Sequence, residues 1–261
     1  IMAFTVIIPA RYQSQRLPGK VLMDICGKPM IQRVYEQACL SSAANVIVAT
    51  DDSRVASVVE AFGGQVCMTA AAHESGTDRL QEVVAREGFS DDAIVVNVQG
   101  DEPLIPPAVI DQVALNLTLQ HEVDSLAAVP GVSTLYEDTI DLEQIMDPNV
   151  VKVVSDAQSQ ALYFSRAPIP WARNEFGADP VSLPVGVVYK RHVGIYGYRV
   201  ELLNRFVRWT PAPLELIEKL EQLRVLWHGE GIHIEVACEA IPPGVDTQRD
   251  LDNIRARFFH E

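Results

Sequence analysis

The chain has 261 residues, 48% hydrophobic and 21% charged, and a formal net charge of −14. That length accommodates one large α/β unit or two small ones, and no Pro/Gly/Ser-rich linker divides it. The acidity and the lack of any basic run argue against nucleic acid as a partner. No apolar run is long enough to span a membrane, and no charged stretch precedes the first apolar one. Cys26, Cys39, Cys67 and Cys238 lack CxxC or metal-type spacing. The expectation is a cytoplasmic protein with reduced, buried thiols and no membrane contact.

Phe4 to Pro9 (FTVIIP) reads as a buried parallel strand, and the chain is then loop until Pro29 opens a helix through Leu40. The loop gathers three cations, Arg11, Arg16 and Lys20, in an acidic protein. Ligands of open α/β sheets bind off the carboxyl ends of the strands, so this loop suits a small anion such as a phosphate. A solvated surface loop offsetting nearby acids is the plain alternative. The loop is neither a Walker A sequence nor a GxGxxG fingerprint.

Asn45 to Thr50 is the second buried strand. Asp52 or Ser53 caps a helix through Phe62, Gly63-Gly64 ends it, and Gln65 to Thr69 is a third, shorter strand. This alternation predicts right-handed crossovers on a mainly parallel sheet. Ser75 and Gly76 then open a helix through Glu87, offering a hydroxyl and backbone amides to a polar ligand, although capping the helix is the commoner role for a Ser75 or Thr77 so placed. Ala93 to Val98 is the most apolar strand, and it runs into Gln99-Gly-Asp-Glu-Pro103. An acid directly after a central strand, with a glycine before it for close backbone approach, is where a phosphate-bridging hard cation would bind, so Asp101 is the first metal-ligand candidate.

Pro106-Pro107 starts a helix to about Gln120, followed by an apolar stretch over 125–129. Residues 136–148 are acidic, weakly periodic and without an assignment. Segments 150–154 and 161–165 form a hairpin that makes the sheet mixed. Arg166 follows in a proline-locked loop, presenting a bidentate fork suited to a carboxylate, or else a salt bridge to one of the many acids. A long loop is expected over 174–188, a strand over 192–199, and a helix over 213–224 with Glu215 and Glu218 on one face. Residues 232–237 form the last strand. Thr247 with Asp250 begins the final helix, which leaves Asp246 just outside it, facing a ligand or complementing the helix dipole.

These motifs carry a family resemblance. Pro9-Ala-Arg11 with Arg16-Leu-Pro-Gly-Lys20 resembles the nucleotide-binding loop of the sugar nucleotidyltransferases, and in particular of the cytidylyltransferases that activate acidic keto-sugars. The closest similarity is to those acting on 3-deoxy-manno-octulosonate (Kdo). Ser75-Gly-Thr-Asp-Arg79, the Gln99 to Pro103 string, Ser165-Arg-Ala-Pro-Ile-Pro-Trp171 and His192-Val-Gly-Ile-Tyr-Gly-Tyr-Arg199 extend the likeness over nearly the whole chain. The family commonly has a proline where Gln248 stands, which bears only on the first turn of the last helix.

The resemblance implies a three-layer α/β/α, Rossmann-like fold with a predominantly parallel mixed sheet. It implies one domain over 1–261: a nucleotide part to about 130, a sugar-binding and dimerisation part to about 230, then a closing strand and helix. The implied reaction joins CTP to Kdo, giving CMP-Kdo and pyrophosphate for lipopolysaccharide assembly in a cytoplasmic homodimer. Ala10, Arg11, Arg16, Lys20, Ser75, Gly76 and Arg79 would hold the nucleotide. Gln99, Arg166, His192, Tyr196 and Glu215 would hold the sugar, and Asp101 and Asp246 magnesium (Mg2+). Arg11, Lys20 and Asp101 would carry the catalysis. A CMP-sialic acid synthetase, another sugar nucleotidyltransferase or a non-catalytic nucleotide-binding protein are the rival readings.

Overall fold

A mixed sheet forms the centre of the computed structural model, which describes residues 3–14, 17–73, 75–123, 130–177 and 182–258, with side chains except those of 119–123. β1 (Phe4–Pro9) leads through the cationic loop and a short 3-10 turn (Lys20–Leu22) to a two-residue hairpin, β2 (Asp24–Ile25) and β3 (Lys28–Pro29). Then come α1 (Met30–Cys39), β4 (Asn45–Thr50), α2 (Ser53–Ala61), β5 (Gln65–Met68), α3 (Gly76–Glu87) and β6 (Ile94–Asn97). α4 (Pro107–Val123) precedes β7 (Val132–Thr139), α5 (Leu142–Met146), the hairpin β8 (Lys152–Ser155) and β9 (Ala161–Ser165), and the long β10 (Tyr189–Arg199). Three short helices, α6 (Val200–Phe206), α7 (Pro213–Glu218) and α8 (Leu223–Trp227), lead to β11 (Ile232–Val236) and α9 (Gln248–Phe258).

The strand order is β11-β7-β10-β6-β1-β4-β5, with the β8–β9 hairpin attached to β10. β6, β1, β4 and β5 are parallel, β11 is parallel to β7, and β10 runs antiparallel between β6 and β7. β1 is unbroken apolar sequence because it has a neighbour on each side and a helical layer on each face: Val6 lies between Val46 and Val96 in register. Val6 and Ile8 pack under α1, α2 and α4, through Ile31, Val34, Val55, Val59 and Val109. Ile7 packs on the opposite side with Leu80 and Val83 of α3, Leu203 of α6 and Leu223 of α8. Each such side chain, fully buried, contributes about 1.5–3 kcal/mol. The expected three-layer, mainly parallel mixed sheet is the observed one.

Several local expectations are corrected. Pro29 caps α1 in extended conformation (φ −62, ψ 149) instead of opening it, because β3 ends there. The stretch over 136–148 contributes to β7 and to α5; β7's mixed composition hides a strand held on both sides by β10 and β11. α6 follows β10 without a gap, in residues that carried no helix expectation. The helix over 213–224 breaks at Lys219, which is left-handed at φ 55, ψ 46, so α7 and α8 present different faces. Within 174–188, Phe176 is buried beside Trp171 and Tyr189. The 125–129 stretch lies outside the described residues.

Gly197 explains how closely α4 approaches β10. A Cβ there would lie 2.8 Å from Ser133 Oγ and 2.9 Å from Val113 Cγ1.

Candidate functional site

The site lies where β1 and β6 end side by side. Ala10 is buried and extends the β1 ladder by one bond, its amide donating to the Ala49 carbonyl at 2.9 Å. The loop then folds on itself. Gly19, at φ 71, sits against the Tyr12 ring and donates to the Tyr12 carbonyl at 2.9 Å, and Arg54 stacks over that ring at 3.4 Å from its centroid. Arg11 donates to the His73 carbonyl at 2.7 Å, which ties the loop to the segment before α3.

At the end of β6, Gly100 lets the backbone pass beneath β1, since a Cβ there would come within 3.0 Å of the Pro9 carbonyl oxygen. Asp101 follows. Its carbonyl accepts from the Val245 amide at 2.8 Å, and this hooks the loop before α9 onto the end of β6. Asp250 accepts from the amides of Asp246 and Thr247 at 3.2 and 2.8 Å and caps α9, which holds Asp246 outside the helix.

Lys20 closes the arrangement. Its Nζ is 2.5 Å from Asp101 Oδ2, 3.0 Å from Asp246 Oδ1 and 3.1 Å from the Val245 carbonyl. Burial opposes its charge, but Asp101 and then Asp246 outweigh that and raise its pKa. A cleft of about 360 Å³ opens over these groups, lined among others by Arg11, Gln13, Ser14, Lys20, Gly76, Gln99, Asp101 and Asp246. Ser75 performs the structural role open to it: its Oγ accepts the Asp78 amide at 3.1 Å and caps α3, leaving Gly76 at the cleft wall. Arg16 lies outside the described residues.

A second hollow of about 410 Å³ shares the Arg11, Gln13 and Ser14 wall and reaches Asp51, Ala71 and Arg79. Arg79 is fully buried there, bonded to Thr69 Oγ1 and 3.2 Å from Asp51 Oδ1, and its Nε has no hydrogen-bond partner. Burial pushes its pKa down, against the Asp51 charge. Gln13, Ser14 and Asp51 were not singled out from sequence, because their place in the wall depends on how the loop folds back.

The residues expected around the sugar are each placed by their own contacts. Gln99 lines the cleft. Tyr196 stands beside Asn97 of β6 and stacks on Tyr198, and burial raises its hydroxyl pKa. His192 packs against Phe164 and Tyr196 and shares a 3.1 Å bond with Thr134 Oγ1; burial lowers its pKa to about 3. Arg166 uses three donors on carbonyls, those of Glu218 (2.6 Å), Pro148 (2.9 Å) and Lys219 (3.4 Å). Glu218 in turn accepts the Arg166 amide at 3.0 Å and Ser165 Oγ at 2.7 Å.

Glu215 is placed elsewhere than expected. It is buried, pairs with Arg224 at 2.5 and 2.8 Å, and accepts the Ala212 amide at 2.9 Å, which caps α7. The break at Lys219 instead turns Glu221 inward, where it accepts Thr77 Oγ1 at 2.6 Å and keeps Oε1 without a hydrogen-bond partner. Burial raises the Glu221 pKa, and its charge helps raise that of Tyr198. The one signal for Glu221 in the sequence is the glutamate itself; the inward turn is invisible there.

Asp101 and Asp246 offer carboxylate oxygens to one shared cation, the Lys20 ammonium. That donor set fits magnesium, which binds through one or two carboxylates and fills its shell with water and phosphate oxygens. Among the described residues no group of three or more His, Cys, Asp or Glu could hold a metal, so the remaining ligands would be water and the oxygens of a bound nucleotide. The thiols differ from expectation: Cys67 is buried, but Cys39 and Cys238 are exposed and Cys26 is intermediate; none lines the cleft. Among the described residues no helix is long and apolar enough to cross a membrane.

Comparison with known proteins points to one family. A family model described as cytidylyltransferase matches residues 5–232. A 3-deoxy-manno-octulosonate cytidylyltransferase of Saccharophagus degradans is 57% identical, covering 98% of this chain and 99% of that one. One from Aliivibrio salmonicida is 58% identical, covering 98% of each. A solved structure of CMP:2-keto-3-deoxy-manno-octonic acid synthetase complexed with CTP superposes with a TM-score of 0.87 at 42% identity, covering 99% of both chains. A cytidylyltransferase structure from Leptospira borgpetersenii, at TM-score 0.61 and 16% identity over 100% of this chain and 88% of that one, shares the fold.

Proposed function

The chain belongs to the cytidylyltransferase family, and from that premise we propose that it transfers the cytidylyl group of CTP to Kdo, giving CMP-Kdo and pyrophosphate. The observation that carries the reading is the meeting of Lys20, Asp101 and Asp246 in one cleft at the carboxyl ends of β1 and β6. Cations and carboxylates brought together there suit a metal-bound triphosphate.

In this reaction the sugar's anomeric hydroxyl oxygen bonds to the α-phosphorus. The bond from that phosphorus to the oxygen bridging the β-phosphate breaks, pyrophosphate leaves with the electron pair, and the hydroxyl proton passes to solvent. Arg11 and Lys20 offset charge on the phosphates, and the Gly76 end of α3 adds backbone donors. The hollow between Asp51 and Arg79 continues the same wall and would take the rest of the nucleotide. Arg166 receives the sugar carboxylate with its remaining N–H groups, while Gln99, His192, Tyr196 and Glu221 face the hydroxyls. Asp101 and Asp246 would hold magnesium, which when bound supplies charge neutralisation at the phosphate oxygens. The protein's own contribution is alignment and fixed charge.

Supply of CMP-Kdo for lipopolysaccharide assembly in the cytoplasm follows from this product and rests on the family resemblance. A homodimer is proposed on the same ground, with support from exposed apolar side chains such as Leu162, Leu216 and Ile217 in the 131–230 part. Light scattering after gel filtration tests it. The function itself is tested by pyrophosphate release over a panel of nucleoside triphosphates and acidic sugars. CTP with Kdo should give the highest kcat/KM, and a preference for sialic acid or for another nucleotide would overturn the assignment.

A further inference from the structure

We propose that Lys20 is a resident cation that holds the Asp101–Asp246 pair closed to divalent ions until a triphosphate draws its ammonium away, so that metal and nucleotide enter the cleft together. This rests on the reading that the cleft takes a metal-bound nucleotide. An ammonium has three N–H donors, and three acceptors surround this one: Asp101 Oδ2, Asp246 Oδ1 and the Val245 carbonyl, at 2.5, 3.0 and 3.1 Å. The cage is built from separate parts of the chain. Lys20 opens the 3-10 turn after the left-handed Gly19, Asp101 ends the β6 segment, and Val245 is locked to the Asp101 carbonyl by its own amide.

The cage is sheltered on the Lys20 and Asp101 side, where the side chains are 13% and 28% exposed, and open at Asp246, which is 48% exposed. The Lys20–Asp101 pair is therefore screened less than a surface pair. A divalent ion ligated by the same two carboxylates needs the space the ammonium fills, and two cations side by side repel. In the free protein an incoming ion must therefore displace Lys20 without any gain elsewhere. A triphosphate changes the balance. Its oxygens offer Lys20 a more highly charged partner in the same cleft, which draws the ammonium off both carboxylates, and they bring the additional ligands that two aspartates cannot supply. Arg11 lines the same cleft but bonds the His73 carbonyl, so it contributes charge to the cleft from outside the cage.

The test is a Mn2+ titration of the protein without CTP or Kdo, followed by the loss of the free-ion electron paramagnetic resonance signal. Lys20→Gln should tighten Mn2+ binding at least about tenfold, and Arg11→Gln by less than about threefold, since only the first removes the occupant. Lys20→Met should match Lys20→Gln, and melting curves of all the variants report folding. Equal tightening in the Lys20 and Arg11 variants would mean a general charge effect, and no tightening in either Lys20 variant would mean that the ammonium does not compete. Either result overturns the proposal. With no nucleotide or sugar present, the outcome stands apart from the pyrophosphate assay that tests the transferase reading.

Discussion

The Val245 amide donates to the Asp101 carbonyl at 2.8 Å, and that bond brings Asp101 and Asp246, distant in sequence, to face a single ammonium. The backbone thus sets the spacing of the two acids before any ligand arrives. Asp101→Asn or Asp246→Asn keeps shape and removes one charged oxygen ligand. Each should lower kcat by about a hundredfold or more, with an unchanged circular dichroism spectrum. Turnover measured against magnesium concentration checks this, and near-normal activity in either variant would remove that residue from the metal assignment.

Arg166 is gripped by the carbonyls on either side of the α7 break, so its fork is aimed by the backbone. Arg166→Lys keeps the charge and loses the fork. Kdo binding should weaken roughly ten- to a hundredfold, as expected for a charge-assisted hydrogen-bonded pair, with CTP binding within about twofold of the parent. Separate titrations of the two ligands decide it. A fall in CTP affinity alone would move Arg166 to the nucleotide side.

His192 gives a pH signature. Burial holds its pKa at about 3 in the folded protein against 6.5 ordinarily, so unfolding takes up a proton between those values. The contribution of a neutral His192 is present above pH 6.5 and is lost progressively as pH falls towards 3. Relative to His192→Gln, the parent should therefore lose about 2 kcal/mol on going from neutrality to about pH 5. Urea denaturation of both proteins across that range measures it. Parallel stability profiles would mean that the ring is solvated.

Direct attack by the sugar predicts a kinetic absence. Burial raises the thiol pKa of Cys67 and suppresses its thiolate, and no cysteine lines the cleft. With Lys20 held as an ammonium by Asp101 and Asp246 and no thiol in the cleft to accept the cytidylyl group, labelled pyrophosphate should not exchange into CTP in the presence of magnesium until Kdo is added. Sustained exchange without the sugar would establish a cytidylyl-enzyme and reject the single displacement.

What was legible in the sequence was whatever local chemistry decides. FTVIIP could only be a strand buried on both faces, and Asp52, Ser75 and the Thr247–Asp250 pair cap their helices as their side chains dictate. The string Gln99 to Asp101 places an acid after a glycine that the backbone needs, and the same logic left Asp246 outside its helix. What the tertiary structure alone decided is where long-range contacts outweigh local preference. β7 is a strand because β10 and β11 hold it, whereas its own pattern of Ser, Thr, Glu and Asp is ambiguous. Lys219 breaks a helix that periodicity made continuous, and so pairs Glu215 with Arg224 while Glu221 turns inward onto Thr77. The Lys20 cage belongs to the same class: three segments far apart in the chain meet because the sheet brings the ends of β1 and β6 together, and no local pattern encodes a distance across a sheet.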